Sequence, residues 1–191
     1  MEVLRSNYKY KFEKINSKEH FEQITTKLLE VVKDYVKEKE KNNIDDDFNE
    51  YNYNKNKFAM LTKKIEKKEC NIFVYYIEYN SKVIAEVFFI FDKKNINELL
   101  QVSTQENNVD NAVELICFYI NKDHRGIGSK WLKDRVFPHL KLHDVNSIYV
   151  KSSHHKAFSF YEKLGTKIGT YTLNSDNKKY KRLGNMYQIN I

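Results

Sequence analysis

Residues 123–131 read DHRGIGSKW, and two of the chain's five glycines, Gly126 and Gly128, fall inside those nine letters. Before them NAVELICFYI (111–120) is apolar enough for a buried strand, and after them SKWLKDRVF (129–137) opens a helix. A strand, a glycine turn and a helix N-terminus together suggest an anion site. The first backbone N–H groups of a helix lack intrahelical acceptors and carry the positive end of its dipole. Glycine adds the close backbone approach that a pyrophosphate needs. Taken alone, the same GxG reads equally well as a tight strand-to-helix connection, so the choice falls to the rest of the chain.

Upstream, NIFVYYIEYN (71–80) and KVIAEVFFIFD (82–92) read as two β-rich strands of a hairpin joined at Asn80-Ser81. YKYKFEKI (8–15) alternates as a first strand, and Asn16 followed by Glu19 resembles a capping box opening a helix whose Phe21, Ile24, Leu28, Val32 and Tyr35 recur at helical spacing. A second helix is expected from Asp47 to about Lys68, with Phe48, Tyr51, Phe58, Leu61 and Ile65 on one side and an acidic start at Asp45 to Asp47. The polar stretch 93–111 gives no clear element. Downstream, SIYVKSS (147–153) is a strand and HKAFSFYEKLG (155–165) a short helix, with Ala157, Tyr161 and Leu164 on one stripe and Gly165 placed as a C-terminal cap. Two last strands are expected at about 167–173 and 184–191, and the sole proline, Pro138, should end or kink the third helix.

At 191 residues the chain suits one domain. Thirty-three Lys plus Arg against 26 Asp plus Glu leave a net charge of +7, which favours anionic partners. The basic residues are dispersed, with small clusters at Lys63-Lys64, Lys67-Lys68 and Lys178 to Arg182, and a solvated surface explains them better than a nucleic-acid stripe. Cys70 and Cys117 read as free thiols of a reducing compartment. With no apolar leader and no spanning run, a cytoplasmic protein without membrane contact is expected. His139 and His143 have a helical metal-binding spacing, but Pro138 disturbs that helix and no third ligand is evident, so no metal is expected. No Ser/His/Asp or Cys/His order supplies a nucleophile, and Cys117 reads as core.

HHKAFSFYEKLG (154–165) breaks the tie at the glycine turn. It resembles the Asn-x-x-Ala-x-x-x-Tyr-x-x-x-Gly helix of the GNAT superfamily of acyl-CoA-dependent N-acetyltransferases, with Ala157, Tyr161 and Gly165 in register and His154 where Asn is common. The turn resembles that family's Gln/Arg-x-x-Gly-x-Gly/Ala phosphate loop. It keeps the glycines but carries Asp123 at the first position, with Arg125 the candidate replacement contact. The resemblance is specific from about Glu114 to Thr166 and architectural elsewhere. It implies an α/β chain of the α+β kind: one mixed, mostly antiparallel twisted sheet of about seven strands flanked by four helices, with acyl-CoA bound between splayed central strands. It implies acetyl-CoA as cosubstrate, held by Phe118, Tyr119 and Ile120 of the strand, by Arg125, Gly126, Ile127, Gly128, Ser129 and Lys130 of the turn, and by His154, Ala157 and Tyr161 of the following helix. Lys133 lies near enough in sequence to add charge. Tyr161 would protonate the leaving thiolate, although a core-packed tyrosine is the competing reading.

A primary amine with a pKa near 10.4 is almost all ammonium at neutral pH, and deprotonating it costs about 4.6 kcal/mol. Glu114 lies where the histone-acetylating branch of the family carries its catalytic glutamate, and burial would make it a better base. Strict alternation puts Glu114, Ile116, Phe118 and Ile120 on one face unless the bulge this strand often has in the family intervenes. Glu86 is the rival base. The resemblance implies a small-molecule or peptide amine as acceptor; Asp45, Asp46, Asp47, Phe48, Glu50, Tyr51 and Tyr53 would suit a cationic one, although helix capping explains the same acids more cheaply. A homodimer is left open. Two other readings stay in view: an acyl-CoA sensor with the same fold, which Asp123 keeps alive, and a basic nucleic-acid binder.

Overall fold

The computed structural model describes residues 7–41, 50–100, 111–174 and 181–191. Its strands are β1 (Tyr8–Ile15), β2 (Asn71–Tyr79), β3 (Lys82–Phe91), β4 (Ala112–Ile120), β5 (Ser147–Ser152), β6 (Thr166–Asn174) and β7 (Lys181–Asn190). They form one open seven-stranded sheet in the order β1-β2-β3-β4-β5-β7-β6. The sheet is mixed, as expected: β3 and β4 run antiparallel, β4 and β5 parallel, β5 and β7 antiparallel. The β2–β3 hairpin turns at Asn80 (φ 50°) and Ser81 (φ 61°). Two consecutive positive φ angles give the primed turn whose twist suits an antiparallel pair.

The chain divides into two compact units. One comprises Met1–Lys14, Ile72–Tyr171 and Gly184–Ile191. Its main core packs Phe73, Tyr75, Ala85, Val87, Phe89, Val113, Leu115, Ile148 and Val150 of the sheet against a helix contributing Trp131, Leu132, Val136 and Leu140. That helix is continuous through α4 (Gly128–Trp131), a π turn (Leu132–Val136) and α5 (Phe137–Lys141). Pro138 neither ends it nor stops its packing. Proline has no N–H to offer the preceding turn; the helix widens just ahead of it, where Phe137 N–H reaches back to the Leu132 carbonyl, and then continues. α6 (His155–Glu162) follows β5, and α3 (Lys93–Leu100) fills part of the stretch that the sequence leaves unassigned. Residues 101–110 of that stretch lie outside the described residues.

The other unit comprises Ile15–Asn71 and Thr172–Leu183. Here α1 (Lys18–Lys41) and α2 (Glu50–Glu66) pair through Phe21, Leu28, Phe58 and Leu61, all buried, with the Phe21 and Phe58 rings edge to face at 5.9 Å. Ser17 caps α1, its hydroxyl accepting from His20 N–H at 3.2 Å, so the cap falls one residue beyond Asn16. Among the described residues no helix is long and apolar enough to cross a membrane.

Candidate active site

Strand β4 changes character along its length. Its parallel pairing with β5 runs from Ala112↔Ser147 to Leu115↔Val150 and stops, while pairing with β3 continues to Ala85↔Ile120. The burial pattern follows: residues 112–116 are buried and 117–120 half-exposed. Where the partner is lost, the register with β3 also slips. Phe88 faces Cys117 and Phe89 faces Leu115, which leaves Ile116 as the extra residue of a bulge. The slip is the bulge on which the strict alternation of this strand was conditional, and with it the alternation does not hold. Phe118 and Ile120 pack with the α4-side core that holds Val113 and Leu115, so they do not share a face with Glu114. Beyond Leu115↔Val150 the ladder with β5 does not continue among the described residues, and from that edge Phe118, Tyr119 and Ile120 could offer N–H groups to a ligand.

The turn after β4 is built to present a helix N-terminus. Asn121 anchors it: its N–H donates to the Ile84 carbonyl at 2.8 Å, and its side-chain oxygen accepts from Asp123 N–H at 3.0 Å at the start of a 3-10 turn over Lys122–His124. Asp123, at the variant motif position, is exposed and part of this turn. Arg125 is extended and exposed, and Gly126 has φ +96° with no atom within 4 Å of an added Cβ. Gly126 is therefore glycine for its backbone conformation. Gly128 is glycine for a different reason: an added Cβ would sit 2.6 Å from Ile120 Cδ1 and 2.9 Å from Phe118 Cζ, so α4 starts hard against the open half of β4. Ile127 is the N-cap, and the N–H groups of Gly128, Ser129 and Lys130 form a first turn without intrahelical acceptors. The Lys130 ammonium lies 3.2 Å from Asp134 in an exposed pair, an attachment worth about 0.3–0.5 kcal/mol that an anion can outbid.

His124, which the sequence reading passed over, fixes the turn from below. Its Nδ1 lies 3.3 Å from the Tyr8 hydroxyl, and its ring packs edge-on to Tyr8 and against Tyr79 at 5.2 Å. No local signal joins a residue of β1 to a turn 116 positions later.

Across the opening stands α6. Its N-cap is His154, exposed, whose side chain makes no capping bond; Ala157 and Phe160 pack against the core. An aromatic wall runs from Trp131 to Phe118 (6.1 Å) to Phe160 (5.3 Å) to Tyr161 (5.2 Å) to Tyr187 (5.6 Å). Tyr161 is buried, and that burial pushes its hydroxyl well above the usual phenol range, with Cys117, Tyr187 and Tyr171 adding to the shift. Its proton is thus held throughout the working pH range beside Cys117, the first half-exposed residue of β4. Gly165 does not act as a left-handed cap, since Gly126 is the glycine with positive φ. It is needed because a Cβ would collide with the Gln188 carbonyl oxygen of β7.

The two candidate bases lie on the sheet face away from α4. Glu114 is 8 % exposed and stands in register between Ile90 and Tyr149. Glu86 is 6 % exposed and faces Tyr119. Four residues of β3 separate their register positions, about 13 Å, too far for both to serve one nitrogen. Glu86 is committed to its surroundings: after burial, it helps raise the Tyr119 hydroxyl, and it does the same for Tyr76, whose hydroxyl donates to Glu13 at 2.9 Å.

Of the acidic and aromatic residues expected near an acceptor, Asp45 to Phe48 and the Glu50 side chain lie outside the described residues, as do Lys178 to Tyr180 of the basic cluster, while Tyr51 and Tyr53 are on α2. Among the described residues no three His, Cys, Asp or Glu side chains gather as a metal site.

No family model matches the sequence, and no curated protein matches it significantly. Solved structures do share its architecture. An N-acetyltransferase from Staphylococcus aureus Mu50 is 15% identical, with 97% of this chain and 99% of that one covered at a TM-score of 0.53. An IAA acetyltransferase from Bacillus cereus ATCC 14579 is 12% identical over 96% and 100% at 0.51, and a GNAT-family protein from Desulfovibrio desulfuricans is 9% identical over 95% and 99% at 0.51. With the seven-stranded order, the parting of β4 from β5 and the glycine turn at its mouth, these likenesses establish that the chain has the GNAT acetyltransferase fold.

Proposed function

We propose that residues 1–191 work as one N-acetyltransferase domain that transfers an acetyl group from acetyl-CoA to a primary amine by direct attack in a ternary complex. The observation that carries this reading is the end of β4–β5 pairing at Leu115↔Val150 directly beside the α4 N-terminus. The residues present fit the cosubstrate. A pyrophosphate needs converging N–H donors at a backbone free of side chains, and Gly126 to Lys130 supply both, with Arg125 and Lys133 nearby for charge. A pantetheine arm needs a strand edge beyond the end of a ladder, which Phe118–Ile120 supply.

Bound there, acetyl-CoA supplies an acyl carbon already activated as a thioester. Glu114 takes a proton from the acceptor ammonium, which frees the nitrogen lone pair for attack on that carbon. Open-edge N–H groups within Phe118–Ile120 donate to the carbonyl oxygen as negative charge gathers on it. As the carbon–sulfur bond breaks, Tyr161 donates its hydroxyl proton to the sulfur.

Acetyl-CoA at about 100 times its Kd should stabilise the fold by about 2.7 kcal/mol, a Tm rise of about 5–11 °C for a chain of this size. CoA release should follow when polyamines, aminoglycosides and peptides are screened as acceptors. The absence of any shift would remove the acyl-CoA reading. A shift without turnover of any amine would favour the sensor that Asp123 keeps in view.

A further inference from the structure

The sheet face away from α4 carries a hydroxyl that the fold leaves unmatched. Tyr149 of β5 is completely buried, packed with Ile96 of α3, Ala112, Ile168 and Met186, and among the described residues its hydroxyl oxygen has no hydrogen-bond partner. Stripping a hydroxyl of water for no return is costly, so such a group calls for an explanation. Its position supplies one. In the parallel register Tyr149 stands directly opposite Glu114, on the face that Ile148 and Val150 turn away from. Adjacent strands lie about 4.8 Å apart, so the two side chains are cross-strand neighbours, one step before the last β4–β5 pair, Leu115↔Val150. Around them the walls are aliphatic: Ile96, Ile168 and Met186.

A primary ammonium carries three N–H donors, and one drawn out of water must find acceptors for them. We propose that Glu114 and Tyr149 form a two-point receptor for a primary amine on an aliphatic arm, the Tyr149 oxygen accepting one N–H while the Glu114 carboxylate takes another. The assignment rests on reading Glu114 as the base and adds a selectivity: a tertiary ammonium, with a single N–H, cannot satisfy both oxygens. Tyr149 is a binding residue in this scheme and moves no proton.

The test uses n-butylamine as the probe and CoA-saturated protein labelled with ¹³C at the tyrosine Cζ. Tyr149→Phe assigns the Tyr149 resonance by its loss. In wild type that resonance should move on titration with n-butylamine and stay still with triethylamine, and Tyr149→Phe should bind n-butylamine about tenfold more weakly. Removing an unmatched hydroxyl should leave Tm unchanged or raise it. A stationary resonance, equal binding by the variant, or a Tm loss on Tyr149→Phe that exposes a structural partner would each overturn the receptor. CoA release from acetyl-CoA with the same amine reports separately on transfer: movement of the Tyr149 resonance without release keeps the receptor and removes the transferase.

Discussion

Residues 112–115 and 117–120 belong to one strand of similar composition, yet they live differently. All of the first four are buried and pair with β5, Glu114 and Leu115 pairing with β3 as well, while the second four pair with β3 alone and are half-exposed. Ile116, the bulged residue, lies between them. Pairing on both edges leaves Glu114 and Leu115 no backbone group to spare, so the role proposed for Glu114 falls to its side chain. Around Phe118–Ile120, past the end of the β5 ladder, gather a helix N-terminus, a tyrosine that keeps its proton and a stacked aromatic wall. The proposed site thus lies where the β4–β5 ladder stops.

The largest expected effects come from severing the chemistry of the two halves. Glu114→Gln should lower kcat/KM at pH 7 by about 10²–10⁴-fold while sparing acetyl-CoA affinity. The deficit should shrink as pH approaches about 9.5, where more acceptor is already free amine. Tyr161→Phe should lower kcat by about 10²-fold, again with cofactor affinity kept, since the hydroxyl matters mainly as charge develops on sulfur. Its deficit should persist with rising pH. Opposite pH responses would sharpen the division between halves. A fully active Glu114→Gln at pH 7 would break it and pass the role of base to Glu86.

Smaller effects should separate the two glycines of the turn. Gly126→Ala places a methyl in open space at φ +96°, so it costs about 1–2 kcal/mol of backbone strain and should weaken CoA binding about tenfold. Gly128→Ala presses on Ile120 and Phe118, an overpacking cost of about 1–3 kcal/mol, or about 2–4 °C of Tm for each kcal/mol. Because Phe118 stacks on Phe160, that second variant should also loosen α6 and lower kcat. Calorimetric titration alongside thermal melts resolves the pair. Equal, unaltered CoA affinity in both would mean that the turn is a connection and nothing more.

What the sequence showed of this arrangement depended on how local each signal was. The Asn80-Ser81 turn, the apolar run of β4 and the stripe of α6 each lie within a few residues, and the structure places them close to expectation. α3 was missed because it has eight residues, barely two turns, with Ile96 as its one anchor among the side chains described. That is too short for a 3.6-residue period to declare itself. A bulge in β4 is what the family resemblance allows for, but its position at Ile116 has no local signal, since it exists only as a mismatch between β4 and β3. The same holds for Gly165, whose constraint is a carbonyl of β7, and for His124, steadied by β1.

The smallest effect is expected away from both halves of β4, at His139. This residue is half-buried, its Nδ1 3.0 Å from the Tyr75 hydroxyl and its ring 4.3 Å from Phe12 and 5.0 Å from His143. Burial first, and then the neighbouring imidazole, hold its pKa below the ordinary 6.5. Above that value His139 is neutral in folded and unfolded chains alike and pH has no purchase on it. As pH falls through about 6.5 the unfolded chain takes up the proton first, so folding loses stability until the lowered folded-state value is passed, and the loss then levels off. Wild-type Tm should therefore drop between about pH 7 and pH 5 by more than that of His139→Gln. Acetyl-CoA should stabilise both proteins equally at neutral pH, because no part of the proposed site includes this histidine. A cofactor shift diminished in His139→Gln would mean that the α5 end communicates with the opening at 117–120, and the strand's two halves would no longer be enough to define the site.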